Sequence, residues 1–350
     1  MWKILQGDWV EQLRTLEHES VNCCVTSPPY WGLRDYGIEG QLGLERTPDE
    51  YVAKMVEGFR EVRRVLRRDA TLWLNLGDCY ATKPFYDGDT IDPKWKQARN
   101  RGRNNGPNRQ PIDGLKHKDV VGVPWILALA LRADGWWLRQ AMPWIKRNAM
   151  PESADDRPTT QCEYIFLLAK SARYFYNADA VMMPTSGTAH ARGSGVNPKA
   201  KIPGPNSRIY QDRDTSHPPA RKNRQNESFS AAVKSLVDER QRRSYDWFVD
   251  SWEGMLTDEL GYPLAMVVNS APYPGAHFAT FPPKLVEPCI LAECPEGGTV
   301  LDPFSGAGTT GLVATRLQRN FVGVELNPEY VKMATRRIEQ DQPLFNKQEQ

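Results

Sequence analysis

Apolar positions along this chain recur in short blocks whose period switches between two and about 3.6. Trp2 to Leu5 reads as a short strand, and Val10 to Leu16 as one or two helical turns. Val21 to Thr26 is apolar and β-branched, the pattern of a buried strand, and it runs into Pro28 and Pro29. Tyr51, Val52, Met55, Val56, Phe59, Val62 and Leu66 repeat at helical spacing and predict a helix over Pro48 to Arg67. Thr71 to Leu76 predicts a strand closed by Gly77 and Asp78. Val123 to Ala133 then predicts a helix, with strands at Trp136 to Ile145 and Glu163 to Lys170. The alternation resumes near the end: helix Pro283 to Cys294, strand Thr299 to Asp302, helix Leu312 to Leu317, strand Asn320 to Glu325 and helix Pro328 to Glu339. Such an order predicts an α/β fold on a doubly wound parallel sheet.

Two stretches, 83–118 and 184–230, lack this periodicity. Lys94 to Lys118 holds eight Lys or Arg and one acid, Asp113; His190 to Arg224 holds eight against Asp212 and Asp214. The near balance of 45 basic and 43 acidic residues conceals both. Each stretch fits either a solvated loop or a surface facing nucleic acid. The length of 350 residues fits one large domain with insertions, or two domains. No apolar run approaches the roughly 18 to 20 residues of a membrane span. Asp8 falls where a signal peptide needs an apolar stretch, so a cytoplasmic protein is expected. The six cysteines form no Cys-x-x-Cys pair and lie near no histidine cluster, so no metal site is expected and the thiols should be reduced.

Candidate chemistry concentrates in two turns. Gly306-x-Gly-x-x-Gly311 leaves a strand and enters a helix, where the backbone can pass close to a ligand. Glu325 ends the next strand and can bind two ribose hydroxyls. This spacing also fits a dinucleotide site, so an NAD-dependent oxidoreductase is an alternative. Asp302 puts a carboxylate beside the ligand, which suits the ammonium of S-adenosylmethionine better than a pyrophosphate. The second turn is Thr26-Ser-Pro-Pro-Tyr-Trp31. Ser27 offers a hydroxyl, the Pro28 carbonyl is left free by the extended Pro-Pro step, and Tyr30 offers a flat face. Such a turn can hold a planar base taken out of a duplex. A plain turn with buried aromatics and a Pro-Pro-x-Tyr ligand for a partner domain are the other readings. Trp31 fits a pocket wall or the core equally.

Together the two turns resemble the β-class amino-group DNA methyltransferases of bacterial or phage type, in which the base motif precedes the cofactor motif. Gly7-Asp8, Leu74-Asn-Leu-Gly-Asp78, Trp144-Ile-Lys-Arg-Asn148 with Met150-Pro151, and His277-Phe-Ala-Thr-Phe-Pro282 match the same pattern. The resemblance implies a Rossmann-like S-adenosylmethionine-dependent methyltransferase fold with circularly ordered motifs and an irregular DNA-recognition insertion. It implies a catalytic part over 1–182 with a basic loop at 83–118, a target-recognition insertion over 183–273, a cofactor-binding part over 274–340 and a tail over 341–350. Ser27, Pro28, Pro29 and Tyr30 would be catalytic. Asp8, Thr26, His277, Phe278, Thr280, Asp302, Phe304, Gly306, Gly308, Thr309 and Glu325 would hold S-adenosyl-L-methionine. Lys94, Arg99, Arg101, Arg103, Arg192, Arg208, Arg221 and Arg224 would contact double-stranded DNA. A cognate restriction enzyme is an implied partner; a membrane is not. In that family serine before Pro-Pro-Tyr leans towards cytosine N4, with adenine N6 as the alternative. Carbon-5 chemistry would need a nucleophile such as Cys289, which the helix around Pro288 places in the core.

Overall fold

Strand β1 (Trp2–Gln6) and helix α1 (Trp9–Arg14) are separated by Asp8, whose carboxylate caps the helix by accepting the amides of Val10 and Glu11. Strand β2 (Val21–Thr26) and helix α2 (Pro48–Val65) follow; Thr47 caps α2 and Pro48 occupies its first position. A computed structural model describes residues 1–81, 114–146, 156–184, 241–243, 266–268 and 282–341. The remaining elements are β3 (Leu66–Leu76), α3 (Val123–Ala133), β4 (Trp137–Ile145), β5 (Cys162–Ala169), β6 (Met182–Pro184), β7 (Gln241–Arg243), β8 (Met266–Val267), α4 (Pro283–Glu293), β9 (Thr299–Asp302), α5 (Thr309–Arg316), β10 (Asn320–Glu325) and α6 (Pro328–Asp341). His277, Phe278 and Thr280 lie outside the described residues, as do all eight basic residues expected to contact DNA.

The main sheet has eight strands in the order β1-β10-β9-β2-β3-β5-β4-β8. The alternation of elements predicts a parallel sheet, and one strand departs from it: β5 runs antiparallel to both β3 and β4. A parallel return from β4 to β5 needs a crossover, usually a helix. The link over 146–161 carries Pro151 and Pro158 and no apolar residues at helical spacing. Within the stretch expected as an insertion, β8 pairs with β4 at the sheet edge. Two smaller shifts have local causes. Leu66 adopts extended backbone and starts β3 directly after α2. Gly308, at φ 75, ends the glycine turn and lets α5 begin at Thr309.

Helices cover both faces of the sheet. One core joins Trp9 and Leu13 of α1, Phe59 and Val62 of α2 and Leu127 of α3 to Leu72 and Leu74 of β3. The other joins Leu285 and Ile290 of α4, Val313 of α5 and Ile338 of α6 to Cys23, Val25 and Val300. Each fully buried Leu, Ile, Val or Phe contributes about 1.5–3 kcal/mol against exposure. Among the described residues no helix is long and apolar enough to cross a membrane.

Candidate active site

The order of the strands reverses between β9 and β2, and ligands of open α/β sheets bind at such a reversal. A cleft of about 320 Å³ opens there at the carboxyl ends of the parallel strands. Its wall carries Asp8, Ser27, Pro28, Pro29, Tyr30, Asp302, Phe304, Gly306, Thr309 and Glu325. Both sequence motifs therefore meet in one cavity, although Ser27 and Asp302 stand far apart in the chain.

On the β1-β10-β9 side the cleft is acidic. Asp302 ends β9 and is buried. Its Oδ1 accepts the Thr26 hydroxyl at 2.7 Å and the Phe304 amide at 3.1 Å; its Oδ2 accepts the Thr310 hydroxyl at 2.7 Å. Burial raises its pKa to about 6, against the pull of these three donors. Glu325 accepts the amides of Gly306 and Asn327, each at 2.8 Å, and burial raises its pKa as well. Two residues expected to hold the ligand contact other parts of the protein instead of lining the cleft. Thr26 is fully buried and its hydroxyl holds Asp302, so it supports the acid from behind. Gly308 is outside the cleft wall: a side chain there would meet Cβ of Ala334 in α6 at 2.8 Å, so this glycine serves packing. Phe304 lies against Trp9, ring centroids 4.6 Å apart.

On the β2-β3-β5-β4 side the sheet edge carries a row of polar groups. The Tyr30 hydroxyl donates to Glu163 Oε2 at 2.7 Å and accepts from Asn75 Nδ2 at 2.8 Å. The Ser27 hydroxyl lies close enough to the same phenol to lower its pKa. Burial, then the charge of Glu163, raise the Tyr30 pKa well above its ordinary value, so the phenol stays protonated. Glu163 also forms an ion pair with Lys146, whose ammonium sits 4.3 Å from the Trp144 ring centroid. A side chain at Gly77 would meet the Tyr30 ring at 2.5 Å, so glycine there lets the ring lie against the end of β3. The Pro29 carbonyl accepts the Tyr51 hydroxyl at 2.9 Å, which makes Pro29 an anchor of the turn to α2.

Asn75, Lys146, Glu163 and Trp144 join the site without being expected there. Three of them fall in the family-like segments Leu74 to Asp78 and Trp144 to Asn148, whereas Glu163 carries no local signal. Trp31 belongs to the core: it is 2% exposed, donates to the Glu45 carbonyl at 2.9 Å and is absent from the cleft wall. Asp78 is also outside the cleft and receives the amides of Gly122 and Val123 at the start of α3. Cys289 is buried, its thiol donates to the Leu285 carbonyl at 3.3 Å, and burial raises its pKa far above that of a thiolate nucleophile. Among the described residues no cluster can hold a metal ion.

Comparison with known proteins gives a consistent result. A family profile described as DNA methylase, covering N6 and N4 methyltransferases, matches residues 21–336. Type II methyltransferase M.SmaI of Serratia marcescens is 39% identical over 338 residues, which is 96% of this chain and 90% of that protein. M.XycI of Xanthomonas campestris pv. cyanopsidis is 40% identical over 338 residues, 96% and 87% of the two chains. Among solved structures, the PvuII DNA methyltransferase (cytosine-N4-specific) superposes with a TM-score of 0.55 at 17% identity, covering 96% of this chain and 86% of that one. A Thermus thermophilus DNA modification methylase complexed with S-adenosyl-L-methionine gives 0.53 at 19% identity, covering 99% and 96%.

Proposed function

Because the chain belongs to the N6/N4 DNA methylase family, as a type II DNA methyltransferase, we propose that it transfers a methyl group from S-adenosylmethionine to the N4 amino group of cytosine in duplex DNA. The observation that carries this reading is the meeting of Ser27-Pro-Pro-Tyr30 with Asp302, Gly306 and Glu325 in one cleft. The acidic side fits the cofactor. Asp302 would repel a pyrophosphate, which disfavours the dinucleotide alternative, but complements an ammonium; Glu325 suits ribose hydroxyls in either case. Each Glu325 oxygen already holds an amide and retains a lone pair for a hydroxyl. When bound, the cofactor supplies an electrophilic methyl on a sulfonium.

The other side prepares the nucleophile. An exocyclic amino nitrogen is weak because its lone pair is delocalised into the ring. The Tyr30 hydroxyl spends its hydrogen on Glu163, so it donates nothing to the nearby Ser27 oxygen, which can accept. Ser27 Oγ and the Pro28 carbonyl then take the two amino hydrogens and turn the lone pair out of conjugation. Tyr30, held by its hydroxyl, presents a fixed ring for the extruded base to stack on. Proximity and these fixed dipoles supply most of the acceleration. Serine at position 27 supports cytosine, by the lean of the family; adenine N6 is the alternative on the same geometry. The basic stretches at 94–118 and 190–224 neutralise DNA phosphates, and a cognate restriction enzyme is the expected genetic companion.

Expression in a host without DNA methylation, followed by sequencing that distinguishes N4-methylcytosine from N6-methyladenine, reads base and site together. N4-methylcytosine in one short motif is expected, and Ser27→Ala should abolish it while cofactor binding persists. Unmodified DNA from the parent enzyme, or full activity in Ser27→Ala, would contradict the assignment.

A further inference from the structure

We propose that Lys146, held by Glu163, selects cytosine over adenine by donating a hydrogen bond to the carbonyl O2 of the extruded ring. The inference rests on the cytosine reading above and assigns the residue that enforces it. Ser27, Asn75, Glu163 and Lys146 lie on or just past four adjacent strands, β2, β3, β5 and β4, and all line the same cleft. They form one row: Ser27 beside the Tyr30 phenol, the phenol bonded to Glu163, and Glu163 paired with Lys146. With Ser27 and Pro28 holding the amino group, the far end of this row faces the rest of the base edge.

The edges of the two bases differ there. In cytosine the amino group is followed by the ring nitrogen N3 and then by a carbonyl oxygen. In adenine it is followed by N1 and then by a carbon-bound hydrogen. A donor at the far end therefore gains a charge-assisted bond to cytosine and meets a C–H in adenine. Glu163 alone would set a carboxylate against two acceptors and repel them. The ion pair with Lys146 converts that wall from acceptor to donor. An ammonium has three hydrogens and Glu163 takes one. Lys146 is positioned from two directions, by Glu163 and by the face of Trp144, whose indole nitrogen donates to the Val268 carbonyl at 2.7 Å. Lysine is thus built in where a merely solvated side chain would be loose: only 19% of it is exposed. A site that hydrogen-bonds one substrate rejects the analogue lacking that group because its own buried donor is left unpaired.

The test uses the full chain and a duplex carrying its mapped site. The target cytosine is replaced by a 2-aminopyridine C-nucleoside, which keeps the amino group and the adjacent ring nitrogen but lacks O2. Wild-type kcat/KM should fall by roughly tenfold to a hundredfold, mainly through KM. Lys146→Met should show the same fall on cytosine, and no fall on a duplex with adenine at the target position. Cofactor affinity should be unchanged. An undiminished rate on the O2-less base overturns the proposal without requiring any variant to fold. An equal fall of Lys146→Met on cytosine and adenine also overturns it, since that marks a structural role. N6-methyladenine in the natural site of the parent enzyme overturns the base reading itself, before any variant is made.

Discussion

Asp302 and Glu293 are both buried carboxylates with raised pKa values, yet they bear on different properties. Asp302 titrates at about 6 instead of 3.8. Between those values the unfolded chain has lost the proton that the folded one keeps, so its contribution to stability declines as pH rises and is level above 6. At pH 7 the carboxylate is mainly ionised, as a cationic ligand requires. Cofactor affinity, measured by calorimetric titration, should weaken from pH 7 to pH 5, and Asp302→Asn should be weak and flat across that range. A pH-independent wild type would remove Asp302 from cofactor binding. Glu293, at the end of α4, titrates at about 8 instead of 4.5 because burial outweighs the nearby Thr71 hydroxyl. Among the described residues neither of its oxygens has a hydrogen-bond partner. Stability should therefore fall as pH rises from 4.5 to 8, by a total on the order of a few kcal/mol. Glu293→Gln should melt higher than wild type at pH 8, with the gap closing near pH 5; a lower melt at pH 8 would contradict this. Residues whose role is set locally are legible in the sequence: Ser27 to Tyr30 and Asp302 to Glu325 each lie within one turn and its flanks. Glu163 is not, since its function comes from pairing with β4, which puts it opposite Trp144.

Helix α2 meets α1 through a missing side chain. A Cβ on Gly58 would stand 1.9 Å from the Trp9 ring. Trp9 in turn supports Phe304 beside the glycine loop. Gly58→Ala should thus destabilise the protein by about 1–3 kcal/mol, as overpacking does, and also weaken cofactor binding. Denaturant melts and cofactor titration measure the two effects; unchanged values in both would show that Trp9 moves aside freely. Most elements are readable from periodicity because each buries one face, as α2 does with Tyr51, Met55, Phe59 and Val62. The reversed direction of β5 escapes that reading, because period and composition are blind to strand direction. Its cause lies in the link from β4, which has no apolar stripe from which to build a crossover helix. Strand β8 escapes it because two residues, Met266 and Val267, carry no period.

At the scale of the molecule the proposed function divides the sheet, with β1, β10 and β9 assigned to the cofactor and β2, β3, β5 and β4 to the base. Of the stretches expected to face DNA, 94–113 and 190–224 lie outside the described residues. Their charge still makes a quantitative demand. Replacing Lys94, Arg99, Arg101 and Arg103 with glutamine should flatten the slope of log affinity against log salt by about 0.9 for each phosphate left unneutralised. An unchanged slope in a filter-binding salt series would place these residues off the DNA. The sheet also joins the two ends of the described chain: β1 pairs with β10 from Trp2↔Phe321 to Gln6↔Glu325, and the Met1 amine donates to Asn320 at 2.8 Å. On a ribosome making about 5–20 residues per second, β1 waits roughly 15–65 seconds for β10, the neighbour that completes its side of the sheet. Asp302 and Glu325 emerge only then. A chain translated only as far as β5 carries Ser27 but neither Asp302 nor Glu325, so on the proposed reading methyl transfer to nearby DNA should begin only after β10 has been made.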